Sequence, residues 1–282
     1  MKTKLVSVHG GHSGGFCCHA KNNLKEIVEE YIKKGFEWVV ISEHMPPIAD
    51  AFLYPIEIEM GHTAKSLQQR FKKYVSECKL LQEKHKDQIE ILVAFETEAY
   101  TGSFEYAEEL IRNEKPDFIV GSVHHVNDID IDSNEETYTA AANKSGSVDQ
   151  LYLDYFDLQY EMMQRLQPSV IGHFDLIRIY DPEYKERIKN PTIFDRIDRN
   201  LNWILSNDMI LDYNLKGFLK NAKEPYITEP ILSKAIELGI KIAPGDDSHG
   251  IESVGLNMEK GIQILSSKGV GNDWPKPNKI RH

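Results

Sequence analysis

Histidines and carboxylates recur where short apolar runs finish: His9 and His12, His44, Glu96, His124 and His125, His173, then Asp247 and His249. Neutral imidazole is a ligand for zinc, iron or manganese, and carboxylates supply the charge that holds and bridges divalent ions. One such histidine reads most simply as a polar residue at a wet rim. Six or more together point to metal. His62, His85 and His282 fall in helical or tail contexts without partners of this kind and read as solvated surface.

Ligands so far apart in sequence can meet only if the elements carrying them converge. β-Branched apolar runs alternate with longer segments whose apolar residues recur at three and four, which predicts βα units. Strands are expected over Lys4–His9, Trp38–His44, Ile89–Glu96, Asp117–His124, Pro168–Asp175, Met209–Asn214 and Ile240–Asp247. Helices are expected over Leu24–Lys34, Thr63–Lys86, Phe104–Lys115, Val148–Leu166, Ile193–Ser206, Ile227–Leu238 and Met258–Ser267, with Gly35 and Gly239 placed as C-caps. Seven strands alternating with seven helices imply an α/β fold with a parallel sheet, closed or nearly closed as a barrel. In such a barrel the C-terminal strand ends share one face, where the active site lies. No G-x-G-x-x-G or G-K-[ST] loop follows the first strand, which argues against a nucleotide-binding open sheet. Residues 1–282 are read as one domain, with 270–282 a loosely held tail.

Forty-four acidic against 33 basic residues leave a formal charge of −11. That field repels phosphate backbones and anionic lipid, so neither extended nucleic acid nor a membrane surface is an expected partner. A small anion remains compatible, because divalent ions held by the histidine cluster would offset part of this charge locally. The longest apolar stretches, Trp38–Ile41 and Ile89–Phe95, fall short of the ~18 residues of a membrane span. Leu5–Val8 is too short for a signal-peptide core, so a cytoplasmic location is expected. Three cysteines, Cys17 and Cys18 adjacent, suit a reducing compartment and read as bystanders.

The ordered segments HGGHSGGFCCHA (9–20), SEH (42–44), FETE (95–98), GSVHH (121–125), GHFDLIRIYD (172–181) and DDSH (246–249) resemble the successive motifs of the PHP superfamily, and within it the histidinol-phosphate phosphatase branch. The resemblance implies a distorted (β/α)7 TIM-like barrel with up to three divalent ions (zinc, iron or manganese). It places His9, His12 and Asp247 on the first ion, Glu96 bridging to a second that adds His124 and His173, and His19, His44 and His249 on the third. The implied activity is hydrolysis of L-histidinol phosphate. Metals suit that chemistry by lowering the pKa of a water nucleophile and by offsetting charge on the phosphoryl oxygens.

The family opens Asp-x-His-x-His, whereas this chain has His9-Gly10-Gly11-His12, with Ser7 where the acid stands. Residues three apart on a strand point to opposite faces, so both histidines reach one ion only if the glycine pair turns or bulges. Arg178 matches a phosphate-gripping basic residue. Leu219 stands where a second arginine is common, leaving Lys220 or Lys216 to substitute. Asp246 and His125, neighbours of the implied ligands, are candidates for the proton donor or for supports that orient imidazoles, as are Glu43 and Glu98. Competing readings keep the site but change the ester to another small phosphomonoester or a nucleotide, or take the chain as an amidohydrolase-type enzyme, a nuclease or a non-enzymatic metal-binding protein. The amidohydrolase reading wants a lysine at the end of the fourth strand, where His124 stands.

Overall fold

The computed structural model describes residues 4–220 and 222–282. Seven parallel strands form one sheet in the order β1 (Leu5–Ser7), β2 (Phe36–His44), β3 (Glu90–Glu96), β4 (Phe118–Gly121), β7 (Val170–Ile171), β8 (Ile210–Asn214) and β9 (Lys241–Gly245). The first and last strands meet through Val8 N–H donating to the Pro244 carbonyl (3.0 Å) and Asp247 N–H donating to the His9 carbonyl (2.9 Å). The result is the nearly closed, distorted barrel expected. Strands buried on both sides read as continuous apolar runs, as in Trp38–Ile41 and Ile91–Phe95.

Helices cover the outside, and their ends follow local chemistry. Asn23 makes a capping box with Glu26 at the start of Leu24–Lys34, and Gly35 ends that helix in the left-handed conformation, φ 77°. Thr63 caps Ala64–His85 in the same way, and Gly239 closes Glu229–Leu238. Between β4 and β7 the chain adds a small antiparallel hairpin, β5 (His125–Val126) with β6 (Ile129–Asp130), and a helix, Glu135–Ser145, that the periodicity did not predict. Several strands are shorter than expected: β1 stops at Ser7, β4 at Gly121 and β9 at Gly245, and β7 is two residues long because the chain turns away at Gly172 into the Leu176–Arg178 turn. His85, read as surface, is buried at the end of its helix, where its carbonyl accepts Gln88 N–H and Ile89 N–H.

The tail after Gly269 is not loose. Trp274 is 7% exposed and its indole N–H donates to the Lys4 carbonyl (3.0 Å). Beyond it Lys276 pairs with Glu90, Lys279 reaches Asp117 at 2.9 Å, Ser169 Oγ donates to the Asn278 carbonyl, and Ile280 N–H donates to the Asp117 carbonyl. The segment thus runs across the N-terminal ends of the strands, opposite the histidine face. Among the described residues no helix is long and apolar enough to cross a membrane. Trp274→Ala is expected to lower unfolding stability by about 2–3 kcal/mol in urea titration. An unchanged midpoint would mean that the tail contributes nothing.

Candidate metal centre

Parallel register sets the first contact: His44 ends β2 level with Glu96, which ends β3. Glu96 is 1% exposed, and imidazoles surround its two oxygens. His173 Nε2 lies 2.7 Å and His124 Nε2 3.3 Å from Oε1, while His44 Nδ1 lies 3.3 Å and His9 Nε2 3.4 Å from Oε2. Burial alone would push the Glu96 carboxyl up, but the imidazoles of His9, His124 and His44 hold it well below the usual range.

The glycine pair brings both early histidines in. β1 ends at Ser7, and His12 N–H donates to the Ser248 carbonyl (2.7 Å), so the chain bends inward over Gly10 and Gly11. A Cβ on Gly10 would sit 2.0 Å from the Val40 carbonyl oxygen, so only glycine lets the backbone pass β2 this closely. His12 Nε2 then lies 3.4 Å from Asp247 Oδ1 and 3.8 Å from Glu96 Oε2. Asp247 has a left-handed backbone, φ 44°, which departs from the alternation of β9. Burial would raise its carboxyl, but Lys216 and His9 hold it well below the usual range.

A second layer orients these ligands. Asp212, fully buried on β8, accepts from His9 Nδ1 (2.9 Å), His173 N–H (3.3 Å) and Asn214 Nδ2 (2.9 Å). Its carboxylate holds His9 Nδ1 and so turns Nε2 toward Glu96. Sequence reasoning passed over Asp212, although a lone acid inside the apolar run Ile210-Leu211-Asp212-Tyr213 was a usable signal. Glu98 accepts from His125 Nδ1 (3.1 Å) and from the Tyr54 hydroxyl, and lies 3.2 Å from His124 Nδ1. Glu43 accepts from Ser13 N–H and Oγ, both 2.7 Å, and is pushed up to about 8 by burial.

Asp246 and His125, also candidates for the proton donor, face elsewhere. Asp246 points out of the barrel, accepting from Ser7 Oγ (2.5 Å), Tyr31 OH (2.9 Å) and Gly255 N–H (2.7 Å), because Asp247 takes the inward position. His125 lies beyond Glu98, between the rings of Tyr54 and Tyr100. Neither lines the cavity above Glu96.

That cavity, about 560 Å³, has the imidazoles as its floor and Lys216, Lys220, Tyr226, Leu176, Asp132 and Tyr54 in its walls. Lys216 Nζ lies 3.2 Å from Asp247 Oδ1 and 3.0 Å from His249 Nδ1. Burial and the charge of Lys216 lower the pKa of Lys220, while burial pushes Asp132 up to about 7. Arg178 is placed otherwise than expected. Its guanidinium is buried behind Tyr226, 4.5 Å from that ring, with Nε on Asp175 and Nη2 on the Glu224 and Pro225 carbonyls, so it braces the wall and does not line the cavity.

The fit to metal can be tested on the ligand atoms. His9 Nε2, both nitrogens of His12, His44 Nδ1 and Glu43 Oε2 are buried without a hydrogen bond. Atoms sharing a tetrahedral ion at about 2.1 Å lie about 3.4 Å apart, the spacing seen around Glu96. Among the described residues four groups have mutually close donor atoms: His9–His12–Glu96, His9–His173–Asp247, His44–Glu96–His124, and His12–Cys17–His44–His249. The residues therefore fit divalent ions, with His44 shared between groups. Cys17, read as a bystander, joins the fourth; the ring of His19 lies beside it, 4.7 Å from that of His249.

Residues 10–216 match the family model "PHP domain". The "Probable histidinol-phosphatase" of Schizosaccharomyces pombe is 38% identical over 94% of this chain and 87% of that protein. Two solved structures share the fold at 20% identity: the HisK chain of Listeria monocytogenes, TM-score 0.79, covering 91% of this chain and 99% of that one, and the histidinol phosphate phosphatase of Lactococcus lactis, TM-score 0.72, covering 95% of each, which was solved with zinc, L-histidinol and phosphate. Asp212→Asn is expected to weaken metal retention about 10–100-fold in chelator competition at fixed pH. Unaltered retention would mean that His9 needs no carboxylate behind it.

Proposed function

The chain belongs to the PHP domain family, and from that premise we propose that it is a metal-dependent phosphomonoesterase hydrolysing L-histidinol phosphate to L-histidinol and phosphate in histidine biosynthesis. The observation that carries this reading is the ring of imidazoles about a buried Glu96, at the floor of a cavity with two lysines in its wall. The names of the relatives support the choice of ester.

Up to three zinc, iron or manganese ions are the cofactors in this reading. His9, His12, Glu96 and Asp247 would hold the first, Glu96, His124 and His173 the second, and His19, His44 and His249 the third, with Cys17 in reach; the close donor groups support every member but His19, which belongs to none of them, and group His173 with His9 and Asp247. When bound, such ions supply a water of lowered pKa and offset charge on the phosphoryl oxygens. The chain itself binds and orients the ester. Lys216 and Lys220 present point charges to the phosphate, while Arg178 keeps Tyr226 and the Glu224–Pro225 segment in place behind them. Leu176, Ile179 and Tyr226 provide apolar surface for the carbon skeleton. The continuous core of buried side chains supports a single barrel domain, and the free thiols of Cys17, Cys18 and Cys78 support a cytoplasmic setting.

The test is phosphate release by the metal-loaded protein from L-histidinol phosphate, beside a sugar phosphate, a nucleoside monophosphate and p-nitrophenyl phosphate. Histidinol phosphate is expected to be preferred, with kcat/KM of about 10⁴ M⁻¹s⁻¹ or more. Release from the other esters but not from histidinol phosphate would overturn the assignment.

A further inference from the structure

L-Histidinol phosphate carries a dianionic phosphate at one end and an ammonium group on the adjacent carbon. The two ends need opposite surroundings. The metal floor and the two lysines suit the phosphate; the ammonium needs an anion that nothing else has engaged.

Three carboxylates line the cavity among the described residues: Glu96, Asp247 and Asp132. Glu96 is surrounded by imidazoles, and Asp247 meets Lys216, His12, His249 and Asn214. Asp132 differs. Its Oδ1 is buried without a hydrogen bond, while its main chain is pinned by its own N–H donating to Asp130 Oδ1 (2.9 Å) and by the Tyr180 hydroxyl donating to its carbonyl (3.1 Å). The adjacent Ile131 N–H donates to the His124 carbonyl (2.9 Å), which ties this loop to the metal floor. The loop is thus held in position, and the Asp132 carboxyl, buried beside that of Asp130, is costly to ionise until a cation joins it.

Resting on the substrate reading above, we infer that Asp132 is the specificity-determining anion of the cavity, accepting the ammonium group while the phosphate lies against the floor and Lys216. An acidic protein thereby selects a zwitterionic ester over a plain dianion. Phosphomonoesters without a cation next to the ester carbon lose this contact and leave Asp132 unpaired.

The holoenzyme and its Asp132→Asn variant are assayed with L-histidinol phosphate and with 3-(imidazol-4-yl)propyl phosphate, the same skeleton without the amine. Wild type is expected to prefer the amine-bearing ester about 10²-fold in kcat/KM, the scale of a desolvated charge-assisted contact. Asp132→Asn should reduce that ratio to within about threefold of unity. Equal losses on both esters, leaving the ratio intact, would overturn the inference. The wild-type comparison needs no variant: turnover of both esters at equal efficiency overturns the role of Asp132 alone. Turnover of p-nitrophenyl phosphate with neither imidazole ester overturns the substrate reading, and this role with it.

Discussion

A carboxylate stays ionised in a protein interior only when positive charge or several donors surround it. Glu96 is buried at the end of a central strand with five imidazoles about it and, among the described residues, no lysine or arginine on its oxygens. Burial holds His12 and His44 in the neutral form, whereas for His9 and His124 the neighbouring carboxylates outweigh burial and raise the imidazole pKa. Neutral imidazoles and ionised carboxylates are the protonation states in which both act as ligands. The local geometry serves this constraint: Gly10 lets His9 and His12 converge, the left-handed Asp247 turns inward, and Asp212 and Glu98 fix ring orientations from behind.

The same constraint reconciles an acidic chain with an anionic substrate. A formal charge of −11 opposes phosphate at long range. Within the cavity, ions held on the floor would join the two lysines in reversing the sign over a few ångströms, a distance shorter than the screening length. Discrimination then comes from the cavity wall, where the loop after β6 sets Asp132 with no cation beside it among the described residues.

Much of this was legible in the sequence because local chemistry and tertiary structure agree. Leu24–Lys34, Val148–Leu166 and Met258–Ser267 begin and end where caps and periodicity put them. The nine implied ligands meet on one rim because a parallel barrel forces strand ends together. The failures have physical causes. Glu135–Ser145 is too alanine-rich and polar to show an apolar stripe, and the short run Val170–Ile171 cannot reveal that its strand stops at Gly172. Which of Asp246 and Asp247 faces inward depends on one positive φ, which spacing does not encode. Arg178 looked like a phosphate ligand by position alone; its carbonyl partners come from residues 224 and 225, 46 and 47 positions away.

The most direct test is the number of divalent ions per chain, measured by elemental analysis of gel-filtered protein for wild type and Glu96→Gln. The account predicts at least two tightly held ions in wild type, and a loss of one or more when the shared carboxylate becomes a neutral amide. Fewer than one ion per chain in a wild-type protein that still releases phosphate, or an unchanged count in Glu96→Gln, would contradict it.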